Sequence, residues 1–228
     1  MRVLAIDTSS ETACVGVVVD GVVRAEESAR VSAQHGETLL THVARVLASA
    51  GLEKAAIELV AVGLGPGSFT GVRIGLATAK GLALGLARPI VGVRTSEALA
   101  AAVEGARRVV AIDAKKGEVF ASLWAADGDA LAPLLEDVNG PPAAVASSLA
   151  QALDGAEATL VGTGARAYPE LASALVMLRA ADAAHDVVRA GALAQRATLA
   201  FARRGPDALA TLEPVYVRPA DALLPGAR

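Results

Sequence analysis

Two aspartates and one glycine-rich turn hold the residues best suited to chemistry. Asp7 ends the run Arg2-Val3-Leu4-Ala5-Ile6-Asp7, and Asp113 ends Arg108-Val109-Val110-Ala111-Ile112-Asp113 at an offset of 106 residues. Two carboxylates facing a cleft would hold a hydrated Mg²⁺ on a nucleotide phosphate. Equally, each would end its strand and accept turn N–H groups. Thr8-Ser9-Ser10 follows the first Asp and offers hydroxyls to a phosphate, whereas Ala114-Lys115-Lys116-Gly117 offers none, so a two-sided phosphate clamp is incomplete. The third feature is Gly65-Pro66-Gly67-Ser68-Phe69-Thr70-Gly71-Val72-Arg73-Ile74-Gly75. It reads either as an anion cradle at a helix N-terminus or as a tight strand–helix turn packed on a neighbour. It lacks the Gly-Lys-Ser/Thr of a Walker loop and the offsets of a dinucleotide fingerprint. His35 and His42 lie seven apart with no Cys, Asp or Glu at ligand spacing beside them, so no metal site is expected.

The elements that position these residues follow from the local patterns. Residues 58–62 form an apolar, β-rich run that predicts a buried strand. Ser68 or Thr70 caps the helix that follows, and Pro89 stops it near Ala87. Gly71, Gly75, Ala79, Ala83 and Ala87 form one small-residue row and Ala77, Gly81 and Gly85 another, which suits close approach of a second helix. Arg73 and Lys80 share a narrow face, and no acid occurs between Glu58 and Glu97. Such a helix is made to be covered nearly all round, by its own chain or by a partner's helix.

Upstream, residues 2–28 predict an antiparallel meander with an Asp20-Gly21 hairpin turn. Leu39, Leu40, Val43, Val46, Leu47 and Ala50 then recur at helical spacing up to Gly51. Thr95 or Ser96 is expected to cap a helix through Val103. The strand–turn–strand plan then repeats after Asp113, which predicts two lobes of one architecture, residues 1–104 and 105–228. Helices are expected over residues 142–153, 168–175 and 188–204, with 212–219 extended and the last residues frayed. The net charge of −3 gives no global pull towards nucleic acid. The single Cys14 excludes a disulfide framework, and there is no leader pattern or charge-free apolar run of spanning length. A cytoplasmic protein with no membrane contact is expected.

Strand–strand–strand–helix repeats with an Asp after the first strand resemble the acetate/sugar kinase, Hsp70 and actin superfamily. The class expected is therefore α/β: a duplicated two-lobed ASKHA, ribonuclease H-like fold, each lobe a mixed sheet with flanking helices. Within it, Asp7-Thr8-Ser9, His35-Gly36-Glu37-Thr38-Leu39-Leu40, the block from Gly65 to Gly81, Asp113 to Val119, and Pro214-Val215-Tyr216-Val217-Arg218-Pro219 resemble the TsaB (YeaZ) family over about residues 1–220. The resemblance implies a non-catalytic subunit of the bacterial machinery that places threonylcarbamoyl on N6 of adenosine 37 in tRNAs reading ANN codons. It implies a TsaD-like catalytic partner, a TsaE-like ATPase, a homodimer when alone, and tRNA contact only through the complex. It assigns partner contact to the two helices that carry His35, Glu37, Leu40, Thr70, Arg73, Gly75 and Lys80. On that reading Arg73→Glu with Gly75→Leu breaks partner binding and leaves the fold intact. Asp7, Thr8, Ser9 and Asp113 become a vestigial nucleotide site, with ATP or ADP at or near the complex interface as the one cofactor the resemblance admits. An ATP-dependent phosphotransferase of the superfamily is the alternative. A metallopeptidase is a third reading, without a metal cluster to support it.

Overall fold

The computed structural model describes residues 1–30, 35–175 and 178–218, and for residues 35–37 the backbone alone. The side chains of His35 and Glu37, and the terminal residues expected to fray, lie outside the described residues. The chain runs β1 (Arg2–Asp7), β2 (Thr12–Val19), β3 (Val22–Arg30), α1 (His35–Ser49), β4 (Leu59–Gly63), α2 (Phe69–Leu86), β5 (Ile90–Val93) and α3 (Thr95–Ala101). It continues β6 (Arg107–Lys115), β7 (Glu118–Asp127), β8 (Ala130–Gly140), α4 (Pro142–Leu153), β9 (Ala158–Val161), α5 (Thr163–Ala167), α6 (Pro169–Ser173), β10 (Leu178–Ala180) and α7 (Ala190–Arg204).

The duplication extends to topology. The first sheet has the order β3-β2-β1-β4-β5, and the second, β10-β9-β6-β7-β8, is the same order read from its other edge. In both, the first three strands are antiparallel neighbours and the next strand joins parallel to the first. The chain thus folds as the two-lobed α/β architecture expected. At the β2–β3 hairpin Asp20 and Gly21 both have positive φ, at 50° and 79°, as a type I′ turn requires.

Five layers result. Helices α1 and α2 cover the outer face of the first sheet through Leu39, Val43, Val46, Leu47, Leu76 and Ala79. Helices α4, α5 and α6 cover the outer face of the second. Between the sheets lie α3 and α7, and they are exchanged: α3, from the first half of the chain, packs on β6, β7 and β8, while α7, from the second half, packs on the first sheet. One continuous core runs through this middle layer, from Val3 and Cys14 through Leu99 and Leu193 to Ile112 and Trp124. The two helices are tied by the nearly buried Arg196, whose Nε donates to Glu97 Oε1 at 2.8 Å. Among the described residues, no helix is long and apolar enough to cross a membrane.

Candidate functional site

The strand ends carrying Asp7 and Asp113 open towards a cleft of about 1070 Å³ between the lobes, walled by Phe69, Ile112, Phe120, Val187 and Tyr216. The two aspartates differ sharply. Asp7 is 1% exposed. Its Oδ1 accepts from Ser9 N at 3.0 Å and Ser9 Oγ at 2.7 Å, and its Oδ2 accepts from Thr95 Oγ1 at 3.1 Å. Burial raises its pKa above the ordinary carboxylate value, against the pull of the Ser9 and Thr95 hydrogen bonds. Gly63 on β4 admits the carboxylate: a Cβ there would stand 1.8 Å from Asp7 Oδ2.

The hydroxyls expected to meet a phosphate also turn inward. Thr8 Oγ1 donates to Gly71 O at 2.7 Å, and Ser68 N donates to Ser9 O at 2.6 Å. A Cβ on Gly67 would lie 2.2 Å from Ser9 O, on Gly71 2.1 Å from Thr8 O, and on Gly75 2.1 Å from Thr8 Oγ1. The glycine stretch is therefore the tightly packed turn of the two readings, with its glycines spent on Thr8 and Ser9. Ser68 is the cap, accepting from Gly71 N at 3.2 Å. Thr95 does not cap α3 as expected. Its hydroxyl accepts from Gly65 N at 3.1 Å while donating to Asp7, so it binds the two turns together.

Asp113 remains accessible. Its Oδ1 accepts from Lys115 N at 2.8 Å and Tyr168 Oη at 3.1 Å, and its Oδ2 accepts from Lys115 Nζ at 2.8 Å. Partial burial raises its pKa, but the Lys115 bonds outweigh that and the net shift is downward. The same ammonium lies 2.9 Å from Glu11 Oε1. Lys115 thus spans from the second lobe to the β1–β2 turn of the first. A positive charge supplied by the chain sits on the Asp113 carboxylate, away from Asp7 with its own internal hydrogen bonds. The aspartates do not form a matched pair of metal ligands: one is sealed and the other is ion-paired. Among the described residues no group of three His, Cys, Asp or Glu side chains is placed to hold a metal. His42 pairs instead with Glu27 at 2.5 Å.

The expected docking residues fall into two sets. Leu40, Thr70 and Arg73 are exposed, and Lys80 is half-buried at the same outer surface. Gly75 is buried against Thr8, so the expectation that it meets a partner is corrected. The row Gly71, Gly75, Ala79 and Ala83 faces the sheet, and it is Ala77, Gly81 and Gly85 that face outward, beside Leu84 at 72% exposure. Gly75→Leu would strike Thr8 and damage the fold, so it is no clean interface variant.

Sequence reasoning missed the closure of the cleft by residues 212–218. Val215 N donates to Leu64 O at 2.8 Å in the first lobe, and Arg218 Nη1 donates to Ala114 O and Glu118 Oε2, each at 3.1 Å, in the second. Between them Tyr216 Oη accepts from Arg73 Nε at 2.7 Å. The Arg73 guanidinium carbon lies 3.6 Å from the Phe69 ring centre and 5.4 Å from that of Tyr216, a cation–π stack. The block Pro214–Pro219 was the available signal, but its partners lie far away in the chain.

A family model, TsaD: tRNA N6-adenosine threonylcarbamoyltransferase, matches residues 26–212. The chain is 37% identical over 226 residues to the tRNA threonylcarbamoyladenosine biosynthesis protein TsaB of Escherichia coli, covering 96% of this chain and 95% of that one. A Pseudomonas aeruginosa structure, described as an uncharacterized protein with similarity to peptidase YeaZ, superposes with a TM-score of 0.78 at 28% identity, over 95% of this chain and 99% of that one. The ROK hexokinase of Thermus thermophilus, with a TM-score of 0.51 and 17% identity over 89% of this chain and 100% of that one, shares the fold alone. With a family model spanning most of its length and a full-length TsaB relative, the chain belongs to the TsaB (YeaZ) family, within the reach of the TsaD family model.

Proposed function

We infer that this chain acts in tRNA threonylcarbamoyladenosine biosynthesis as a non-catalytic, cytoplasmic subunit that docks a TsaD-like transferase, and through it a TsaE-like ATPase, on its α1–α2 face. The full-length likeness to TsaB supports the pathway. The observation that carries the non-catalytic role is the state of Asp7: its carboxylate is saturated from within the chain, and Lys115 already neutralises Asp113. A phosphotransferase needs an accessible carboxylate for its metal–nucleotide complex. A peptidase needs a hydrolytic metal site or an activated nucleophile. The α1–α2 face supports docking because it leaves Leu40 and Leu84 exposed, as the apolar part of an interface does before it is covered.

The test is size-exclusion chromatography with light scattering on the chain alone and mixed with the TsaD-like protein of its own organism, with ATP turnover assayed on each peak. The expected result is a 1:1 heterodimer that replaces a homodimer, with no turnover by the chain alone. Leu84→Asp, at a side chain with little to lose in the core, should weaken the mixed complex at least about tenfold and leave the circular dichroism unchanged. Turnover by the isolated chain, without a complex, would turn the assignment to a phosphotransferase.

A further inference from the structure

The β6–β7 turn holds three successive residues at positive φ: Lys115 at 61°, Lys116 at 56° and Gly117 at 77°. Lys116-Gly117 is the two-residue loop of the hairpin, where Asn, Asp or Gly ordinarily precedes the Gly. Lys115 stands just before it, where the β6–β7 register shifts. The left-handed region is unfavourable for a lysine, and two in succession persist only where their surroundings over-determine them. Three ties supply that constraint. Lys115 N and Nζ both bond the Asp113 carboxylate, each at 2.8 Å. The same Nζ reaches Glu11 Oε1 on the first lobe at 2.9 Å. Arg218 Nη1 donates to Ala114 O and to Glu118 Oε2, each at 3.1 Å. Ala114 and Glu118 flank the turn on its two sides, so one guanidinium clamps both of its ends.

The side chains of Lys115 and Glu11 are both more than half exposed, and such a pair contributes little by itself. Its fixed geometry comes from the backbone beneath Lys115. Arg218 in turn belongs to a segment anchored in the first lobe: Leu212 is buried in that lobe's core, Val215 N donates to Leu64 O, and Tyr216 Oη accepts from Arg73 Nε on α2. Segment and turn therefore cross the cleft mouth in opposite directions and meet at Arg218. We propose that residues 212–218 are a latch on the cleft. Arg218 holds the strained β6–β7 turn in shape, and the turn holds Lys115 on Glu11. Release of the segment lets Lys115 and Lys116 relax out of the left-handed region, draws Lys115 from Glu11 and parts the lobes at the cleft mouth. The opening is confined to the mouth, because the continuous core through α3 and α7 joins the lobes below it.

The experiment follows amide hydrogen exchange by NMR on the full chain, at Lys115 and at Val215, whose N–H groups bond Asp113 Oδ1 and Leu64 O. Labelling of the single, buried Cys14 reports opening of the middle layer. Arg218→Ala should speed exchange at Lys115 and Val215 at least about tenfold and leave Cys14 labelling as in the wild type. Asn tolerates the left-handed region, so Lys116→Asn in the Arg218→Ala background should recover most of the protection at Lys115: a turn without strain needs no clamp. Binding of anilinonaphthalene sulfonate to the apolar cleft walls should follow the same order, rising with Arg218→Ala and falling again with Lys116→Asn. Exchange at Lys115 unchanged by Arg218→Ala overturns the proposal, because the turn then holds itself. Faster exchange throughout the chain, with faster Cys14 labelling, overturns it as well, because these contacts would then belong to global stability. A loss at Lys115 that Lys116→Asn does not recover overturns it too, since strain is then not what the clamp restrains.

Discussion

The two halves of the chain share a sheet topology and an aspartate at the end of the leading strand, yet treat that aspartate in opposite ways. In the first half Asp7 lies beneath Gly63, Ser9 and Thr95, and the following crossover is one helix of 18 residues. In the second half Asp113 stays at the cleft, and the corresponding crossover is broken into α5 and α6, with Pro169 opening the second piece. Duplication fixed the strand order, and each copy then diverged at the strand ends. The first half became a rigid platform with an exposed outer helix, and the second kept the opening.

The largest effect that would break this contrast comes from the platform. Gly63→Ala places a methyl group on the Asp7 carboxylate and should cost about 3 kcal/mol, at the upper end of what overpacking does, read as a lower urea midpoint with little change in slope. Next comes truncation of each aspartate. Asp7→Ala strands the Ser9 N–H and the Ser9 and Thr95 hydroxyls in the interior, at about 2 kcal/mol. Asp113→Ala removes a solvent-exposed ion pair and should cost under about 1 kcal/mol. Equal losses in the two variants would erase the distinction.

The pH dependence separates the same pair more finely. The folded-state pKa of Asp7 lies above its unfolded value, so its protonated form favours folding below that value, and this contribution is lost as pH rises through the folded pKa. That of Asp113 is depressed, so its contribution is present above the unfolded value and lost as pH falls through the folded pKa. Denaturation midpoints from acid to neutral pH should therefore show Asp7→Asn falling less than wild type as pH rises, and Asp113→Asn falling less than wild type in acid. The smallest expected effect is at the outward glycine row. Gly81→Ala meets nothing within 4 Å, has a helical backbone, and should stabilise by up to about 1 kcal/mol.

Much of this was legible in the sequence because it is local or repeated. The hexapeptide match announced two lobes, Pro89 and Ser68 bounded α2, and Asp20-Gly21 set the first hairpin. What escaped depends on partners distant in the chain. The sealing of Asp7 needs Thr95, and the inward face of Gly75 needs Thr8. The stacking of Arg73 needs Tyr216, 143 residues on. Spacing along one helix places residues on a common side but cannot say whether that side meets a sheet or solvent, so the two small-residue rows were interchangeable until the strands were in place. The three-residue β10 was missed because so short a strand shows no periodicity.

The exchange of α3 and α7 also sets an order in time. While the chain is being synthesised, the first sheet is complete once Val93 has emerged, but one of its faces waits for α7, which ends at Arg204. At about 5–20 residues per second the ribosome takes on the order of 5–20 s to deliver that cover. Through that interval Val3, Cys14, Val18 and Val91 lack the cover they have in the folded chain, and transiently exposed apolar surface of this kind is prone to aggregate. Protease protection of ribosome-bound chains should accordingly rise when residue 204 clears the exit tunnel, rather than at the boundary between the repeats.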